Sequence, residues 1–171
     1  MWSYTATVTK KKRPGASRPE DHFDASRLTP EDHELLAAFQ RRRDAHDRAL
    51  ADSNIIFHKH TCPACGFPTL DERGNYEVCI LCLWEDDGSE RDPTRIAPPN
   101  YTSLLEERVN VSGMLAEVER TYEISDSLPA VIQGIREFKA RRSRGEIAVE
   151  REDFGVNLRN ILPTRPRTST P

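Results

Sequence analysis

Cys62-Pro63-Ala64-Cys65-Gly66 and Cys79-Ile80-Leu81-Cys82 decide the fold, with thirteen residues between the two cysteine pairs. Each C-x2-C turn directs two thiolates at one point, and two such turns facing each other form a tetrahedral four-sulfur site. A linker of this length folds as a short hairpin between them. The glycine suits the unusual backbone angles after the second thiolate. The sequence therefore predicts a metal site with Cys62, Cys65, Cys79 and Cys82 as ligands and zinc as the metal.

Other cysteine chemistries fit less well. A rubredoxin-type iron centre shares the four-sulfur geometry, and the spacing leaves it open. Disulfides are disfavoured because the chain shows no export signal, and a thioredoxin-type redox motif would use one C-x2-C rather than two. His58 and His60 are alternative ligands, but beside four cysteines they fit better as ordinary strand or loop residues.

The four cysteine ligands argue against a catalytic role for the metal. Catalytic zinc keeps a coordination position open for water, whereas four cysteines close the shell. No histidine begins the His-x-Glu pattern of zinc deaminases, and His33-Glu34 lacks the second histidine of a helix-borne metalloprotease motif. We therefore predict that the chain is not an enzyme, while a hydrolase built from scattered acidic residues stays open as an alternative.

The cysteine region also carries a resemblance. The run CPACGFPTLDE over residues 62–72, followed by Gly74-x-Tyr76-Glu77-x-Cys79-x-x-Cys82-x-Trp84-Glu85-Asp86-Asp87-Gly88, resembles the bacterial cysteine-rich CPCC domain family. The likeness continues through Asp92-Pro93, Pro99-Asn100, Ser103-Leu104 and Arg108-x-Asn110, and so covers about residues 60–112.

Ala64 stands where the family's name-giving motif has a further cysteine, and this difference leaves the C-x2-C spacing intact. The resemblance implies a small zinc-ribbon-like module. It also implies a stand-alone bacterial protein of the kind suspected of serving as an immunity partner to secreted toxins.

Charge along the chain indicates the class of partner. Residues 71–92 contain eight acidic and two basic side chains, whereas residues 1–20 and 136–171 each carry a net +4. Ribbons that bind nucleic acid normally place Lys, Arg and aromatic residues on the hairpin, because neutralising phosphates supplies most of the affinity. This hairpin is acidic, so we predict a protein partner with a basic surface, most plausibly a toxin domain, and not a nucleic acid.

The predicted contact residues are Glu85, Asp86 and Asp87, with Trp84 as a candidate anchor. For Trp84 the favoured interpretation is packing over the metal turn together with Tyr76, because so small a unit needs large side chains to form a core, and the anchor is the less favoured one. A solvated acidic loop is the alternative for the three acids. The basic ends and the run Arg41–Arg43 remain candidates for nucleic-acid contact in a regulatory ribbon.

The remaining sequence predicts an α+β protein: a zinc-ribbon-like β-hairpin module flanked by two to three α-helices, with flexible ends. Only 36% of residues are hydrophobic, which is lean for one packed core. A basic extended arm is predicted over 1–28, with an edge strand in Trp2–Val8. It is followed by a helix over 29–53, with Arg41–Arg43 mostly facing solvent, and by a four-cysteine module over 54–112, with a short strand at Asn54–Phe57. A helical region is predicted over 113–163, with a break or bend at Gly113, and a disordered tail over 164–171.

Location follows from hydropathy. No run approaches the roughly 18 apolar residues that a membrane helix needs. The N-terminal stretch before Lys10 lacks the basic and long apolar regions of a secretory signal. We therefore predict a cytoplasmic protein without a membrane span.

Overall fold

The computed structural model describes residues 21–147 and 154–167 and has an α+β fold. Within these residues the helices and strands follow in the order β1 Asp21–His22, α1 Pro30–Ala51, β2 His60–Thr61, β3 Pro68–Leu70, β4 Arg95–Ile96, α2 Leu104–Thr121, β5 Tyr122–Ile124, α3 Leu128–Ser143, α4 Phe154–Ile161 and β6 Thr164–Pro166. Short 3-10 turns lie at Ala25–Arg27 and Ser89–Arg91. No helix in this part of the chain is long and apolar enough to cross a membrane.

The long helices begin where side chains can satisfy their first backbone amides. Thr29 and Asp32 form a reciprocal capping box at the start of α1, and Pro30 occupies its first position. Ser103 and Glu106 repeat the capping box at the start of α2. The start of α1 confirms the helix predicted from residue 29.

The strands form three separate antiparallel pairs: β1 with β4, β2 with β3, and β5 with β6. The β2–β3 pair, in which His60 faces Leu70, contains the first cysteine turn. A single bridge between Val78 and Glu85 closes the hairpin that contains the second turn. The predicted hairpin module is therefore present, but its strands are very short.

One hydrophobic cluster joins the cysteine turns to the helices. α1 and α2 pack against each other, and α3 packs against α4 and β3. In and around the two cysteine turns the cluster contains Cys62, Ala64, Cys65, Phe67, Leu70, Cys79, Leu81 and Trp84. From the start of α2 onward it contains Leu104, Val111, Leu115, Val131, Ile135, Phe138, Leu158, Ile161 and Leu162. The metal turns therefore share one core with the helices around them.

Three local predictions differ from the structure. Asn54–Phe57 is not a strand, and Ile56 and Phe57 point to solvent. α2 continues through Gly113, so the boundary predicted at residue 112 falls inside a helix. A Cβ at Gly113 would meet the Leu35 side chain at 3.7 Å, which is an ordinary contact, so the small residue suits a site where two helices pack.

The disordered tail predicted from residue 164 begins with a strand instead. β6 pairs with β5, from Tyr122 opposite Pro166 to Ile124 opposite Thr164. The sequence lacked a signal for this because the pairing uses main-chain groups, and the three side chains of β6 form no alternating apolar pattern. The predicted edge strand in Trp2–Val8 and residues 168–171 of the tail lie outside the described residues.

Candidate metal centre

The first cysteine turn is held by its own backbone. The Cys62 N–H donates to the Phe67 carbonyl at 2.8 Å, and the Gly66 N–H donates to the Cys62 carbonyl at 2.9 Å. Gly66 has φ +76°, the left-handed conformation that glycine adopts without strain. The sequence-based assignment of Gly66 to this conformation is confirmed.

The second turn repeats the same pattern. The Cys79 N–H donates to the Trp84 carbonyl at 2.8 Å, and the Leu83 N–H donates to the Cys79 carbonyl at 2.9 Å. Leu83 has φ +63° at the position that Gly66 occupies in the first turn. The two turns are therefore structural equivalents that present their cysteines to each other.

The four sulfurs have the spacing of a tetrahedral metal site. Cys62 Sγ lies 3.7 Å from Cys82 Sγ, and Cys65 Sγ lies 3.7 Å from Cys79 Sγ. All four sulfurs lie within 4.8 Å of one another. Metal–sulfur bonds of about 2.3 Å in a tetrahedron would separate the sulfurs by about 3.8 Å. The four cysteines predicted from the sequence are therefore brought together, as free thiols, in an arrangement that fits a metal ion.

Hydrogen-bond donors surround the sulfurs. The Ala64 N–H donates to Cys62 Sγ at 3.4 Å, and the Cys82 N–H donates to Cys79 Sγ at 3.5 Å. The Thr69 hydroxyl lies 3.0 Å from Cys79 Sγ, within hydrogen-bond distance. Such donors stabilise the negative thiolates that metal binding requires.

The thiols perturb one another strongly. Burial, together with the neighbouring thiols, raises the pKa of Cys62 and Cys82 well above the ordinary value. Burial also raises the pKa of Cys79, but hydrogen bonds from the other three thiols outweigh it and lower this pKa well below the ordinary value. A divalent ion would supply the positive charge that four buried thiolates need.

Cationic side chains from the helices bind the carbonyls of the first turn. Arg42 Nε on α1 donates to the Cys65 carbonyl at 2.8 Å, and Arg108 Nε on α2 donates to the Pro63 carbonyl at 2.8 Å. Burial lowers the pKa of both guanidinium groups. Arg41–Arg43 were expected mostly to face solvent. This is wrong for Arg42, because a buried carbonyl needs its donor, and for Arg43, whose side chain is 18% exposed and pairs with Glu90.

His46 on α1 makes the third contact to this turn. Its Nδ1 lies 3.0 Å from the Gly66 carbonyl, and its Nε2 lies 2.8 Å from the Asp126 carbonyl. Both ring nitrogens are therefore within hydrogen-bond distance of a backbone carbonyl oxygen. The side chain is buried, so it ties α1 both to the metal turn and to the loop before α3.

The two histidines weighed as ligands lie outside the sulfur cluster. His58 is buried, with Nδ1 3.2 Å from the Thr69 carbonyl and Nε2 3.2 Å from Lys139 Nζ. Burial and the neighbouring Lys139 lower the pKa of His58. His60 belongs to β2, as the interpretation of both histidines as strand or loop residues requires.

The structure corrects two of the predicted contact residues. Trp84 is 2% exposed and Asp86 is 1% exposed, so neither faces a partner, and the interpretation of Trp84 as a packed core residue is confirmed. Asp86 Oδ2 accepts from Arg73 Nε and from the Gly74 N–H, each at 2.8 Å. Alternation along the hairpin explains this, because residues 84 and 86 point inward while 85 and 87 point outward. The expected packing of Tyr76 over the metal turn is also wrong, because its ring is exposed.

The other two acidic residues are partly exposed. The Asn100 side chain bonds both backbone groups of Glu85, accepting from its N–H at 3.1 Å and donating to its carbonyl at 2.8 Å. Asp87 accepts from the Ser89 N–H at 3.0 Å in a local turn. Glu85 and Asp87 therefore stand on a fixed backbone at the outer side of the hairpin.

Glu90 is an important residue that the sequence analysis missed. Its carboxylate bonds to Arg43, to Arg73 Nη2 at 2.6 Å and to Arg108 Nη2 at 3.3 Å. These arginines belong to α1, to the hairpin and to α2, so one acid joins three parts of the structure. An acid inside a run of acids gave no local signal, because its partners are distant in sequence.

Comparison with known proteins supports the resemblance. Residues 60–124 match the model of the family described as Cysteine-rich CPCC. No curated protein matches the chain. No solved structure matches it either. The family match thus covers the four cysteines, the hairpin and α2, and extends beyond residue 112, where the sequence analysis ended the resemblance.

Proposed function

We propose that the chain is a non-enzymatic protein-binding module whose binding surface is stabilised by zinc. One observation carries this proposal: two equivalent turns present four cysteine sulfurs at tetrahedral spacing, three of them fully buried. Four sulfurs fill the coordination shell that zinc prefers in structural sites, so the ion would have no open position for water or substrate.

The helices favour a structural role for the ion. α1 and α2 contact the backbone carbonyls of the first turn through Arg42 and Arg108, and the turns belong to the same core as the helices. Loss of the ion would remove the bonds that join the two turns inside that core. Zinc would therefore contribute folding free energy to the whole protein.

The partner that we propose is a basic toxin domain, with this chain acting as its cytoplasmic immunity or inhibitor protein in a bacterium. The net charge of −6 over residues 71–92 supports this, because complementary charge accelerates association and fixes orientation. Glu85 and Asp87 are the partly exposed acids that serve this role.

Metal analysis of the purified chain tests the first part of the proposal. Wild-type protein is expected to contain about one zinc ion per chain, and Cys79→Ser is expected to lose both the ion and cooperative thermal unfolding. His60→Ala is the matched control, because it removes a potential ligand close to the site and is expected to retain zinc. Stoichiometric iron, or a Cys79→Ser variant that melts like the wild type, would contradict the proposal.

Co-expression tests the second part. If a neighbouring gene encodes a secreted toxin, cells that express its toxin domain are expected to grow only when this chain is present. Cys79→Ser is expected to abolish protection, whereas His60→Ala is expected to retain it. Growth arrest that the wild-type chain does not relieve would exclude an immunity role against that toxin.

A further inference from the structure

All the large hydrophobic side chains that stand exposed in the described residues belong to the four-cysteine module. They are Ile56, Phe57, Tyr76, Val78 and Tyr101, which are 76%, 64%, 61%, 51% and 49% exposed. Scattered apolar residues are normal on a surface, but a concentration in one module points to an interaction site. Helices cover the other side of this module through Arg42, His46 and Arg108.

Hydrogen bonds connect the segments that carry these side chains. The His58 N–H donates to Asp71 Oδ1 at 2.5 Å, and the Asp71 N–H donates to Glu77 Oε2 at 2.8 Å. Phe57 directly precedes His58, and Glu77 lies between Tyr76 and Val78 in the sequence. The loop with Ile56 and Phe57 is thus tied to the strand with Tyr76 and Val78.

A second set of contacts extends the connection to Tyr101. The Val78–Glu85 bridge is flanked by bonds from Cys79 to Trp84 and from Asp86 to Glu77, so the two bridge residues form a non-hydrogen-bonded pair. Side chains of such a pair lie close together on the same face of the hairpin. The Asn100 side chain bonds the outer backbone edge of Glu85, and Tyr101 is the next residue in the chain.

Both exposed tyrosines are held in an unfavourable backbone conformation. Tyr76 and Tyr101 each have φ +58°, a left-handed conformation that bulky residues rarely adopt. Burial of the rings does not offset this strain, since both rings face solvent. A strained residue with an exposed aromatic ring is better explained by a binding role than by stability.

We propose that these residues form a docking face for a cationic, arginine-rich protein segment. We call it the tyrosine face; it consists of Ile56, Phe57, Tyr76, Val78 and Tyr101, with Glu85 and Asp87 at its rim. Arginine stacks on tyrosine rings and pairs with carboxylates, so one type of side chain satisfies both features. The partly exposed acids Glu85 and Asp87 at the rim repel phosphates, anionic lipid and the rim of a second copy. This inference rests on the proposed function and specifies its surface and partner chemistry.

The first test is a titration of the zinc-loaded full chain with deca-arginine and, separately, with deca-lysine. Binding is monitored through the backbone amide chemical shifts in NMR spectra. Deca-arginine is expected to shift residues 56–57, 76–78, 85–87 and 101, and to bind several-fold more tightly than deca-lysine, because lysine stacks less well on aromatic rings. Equal binding of the two peptides, or shifts spread over all acidic surfaces, would refute the tyrosine face.

The matched variants test the aromatic contribution. Tyr76→Ser combined with Tyr101→Ser is expected to weaken deca-arginine binding about tenfold while zinc content is retained. Glu34→Gln, an exposed acid on α1, is the control and is expected to bind like the wild type. Self-association of the wild type that the double variant abolishes would instead assign the face to a second copy and overturn the proposal.

Co-expression with the toxin separates the two proposals. A folded double variant that still protects cells as well as the wild type would remove the tyrosine face and leave the immunity function standing. If deca-arginine binds at the tyrosine face but wild-type chain does not protect, the immunity function is wrong and the face stands.

Discussion

Gly66 and Leu83 occupy equivalent positions after the second cysteine of each metal turn, with φ +76° and +63°. A Cβ at Gly66 would lie 3.3 Å from both the N and the Cβ of Arg43 on α1, so this position requires glycine for space as well as for conformation. Leu83 is partly exposed and has room for its side chain, but its backbone is strained. The same turn thus tolerates a side chain only where no helix packs on it.

Substitutions at these two positions are expected to change the unfolding free energy in opposite directions. Gly66→Ala should lower the unfolding free energy by about 1–2 kcal/mol, because it adds left-handed strain and a tight contact. Leu83→Gly should leave the stability unchanged or raise it by up to about 1 kcal/mol, because the strain of the left-handed residue is relieved. Thermal melts of the zinc-loaded proteins, with zinc content as the control, measure both changes; greater destabilisation by Leu83→Gly would contradict the equivalence.

The site was predictable residue by residue only where chemistry dictates spacing. The C-x2-C pairs identified all four sulfurs, because a metal site requires ligands of one type at fixed separations. Asp86 was predicted to contact a partner, with Trp84 as a candidate anchor, although the period of a hairpin places both inward on the same side. The alternation was visible in the sequence, but a run of acids obscured it. Asp86→Lys would place a cation beside Arg73. A test of partner binding by charge reversal is therefore informative only at Glu85 and Asp87.

Among the elements, α1 and α2 were predictable from their capping boxes, and α4 falls within the helical region predicted over 113–163 but without predicted ends, whereas β6 was not predicted. α4 spans only Phe154–Ile161, and β6 consists of three residues near the basic tail. Both depend on packing against distant partners: α4 against α3 and α2, and β6 against β5. Local propensity carries little information about such elements, because tertiary contacts supply most of their stability.

Two glycines in helices differ in how much space their neighbours leave for a side chain. A Cβ at Gly134 on α3 would lie 1.6 Å from the Ile161 carbonyl oxygen on α4, whereas a Cβ at Gly113 would make only the ordinary contact with Leu35. Gly134 is therefore the position at which the backbone of α4 lies directly against α3. Glycine at this site is required by packing, although it disfavours the helix itself.

Gly134→Ala is accordingly expected to lower the unfolding free energy by about 1–3 kcal/mol, because the two helices must separate. Gly113→Ala is the matched control and should be neutral or stabilising by up to about 1 kcal/mol, since alanine is the better helix former. Urea unfolding of both variants measures the difference. Equal stability of the two would show that α4 does not pack on α3 at Gly134.

At the scale of the whole molecule, an ionic network connects the parts that the hydrophobic core also joins. Glu90 bonds to arginines from α1, from the hairpin and from α2. The same arginine of α2, Arg108, also binds the Pro63 carbonyl in the first metal turn. Displacement of the hairpin would therefore disturb both helices and the turn, so these parts are expected to unfold together.

The pKa of Glu90 makes this network testable. Partial burial raises the pKa, but hydrogen bonds from Arg43 and Arg73 outweigh it and lower the pKa from the ordinary 4.5 to about 2. A carboxyl group whose pKa is depressed by folding stabilises the folded state above its unfolded pKa. That contribution is lost as the pH falls through the folded pKa. The network should therefore act fully at pH 7 and weaken between pH 4.5 and 2.

Glu90→Gln is expected to lower the unfolding free energy at pH 7 by about 1–3 kcal/mol, because three arginines lose a charged partner. The difference from the wild type should shrink below pH 4.5 and vanish near pH 2, as the wild-type carboxyl becomes protonated. Acid also protonates the cysteine ligands, so the two proteins must be compared at equal zinc content. Glu34→Gln controls for the loss of one surface charge, and carboxyl NMR titration of Glu90 gives the pKa directly. A difference that persists unchanged through acid, or a Glu90 pKa near 4.5, would mean that the network does not hold the hairpin to the helices.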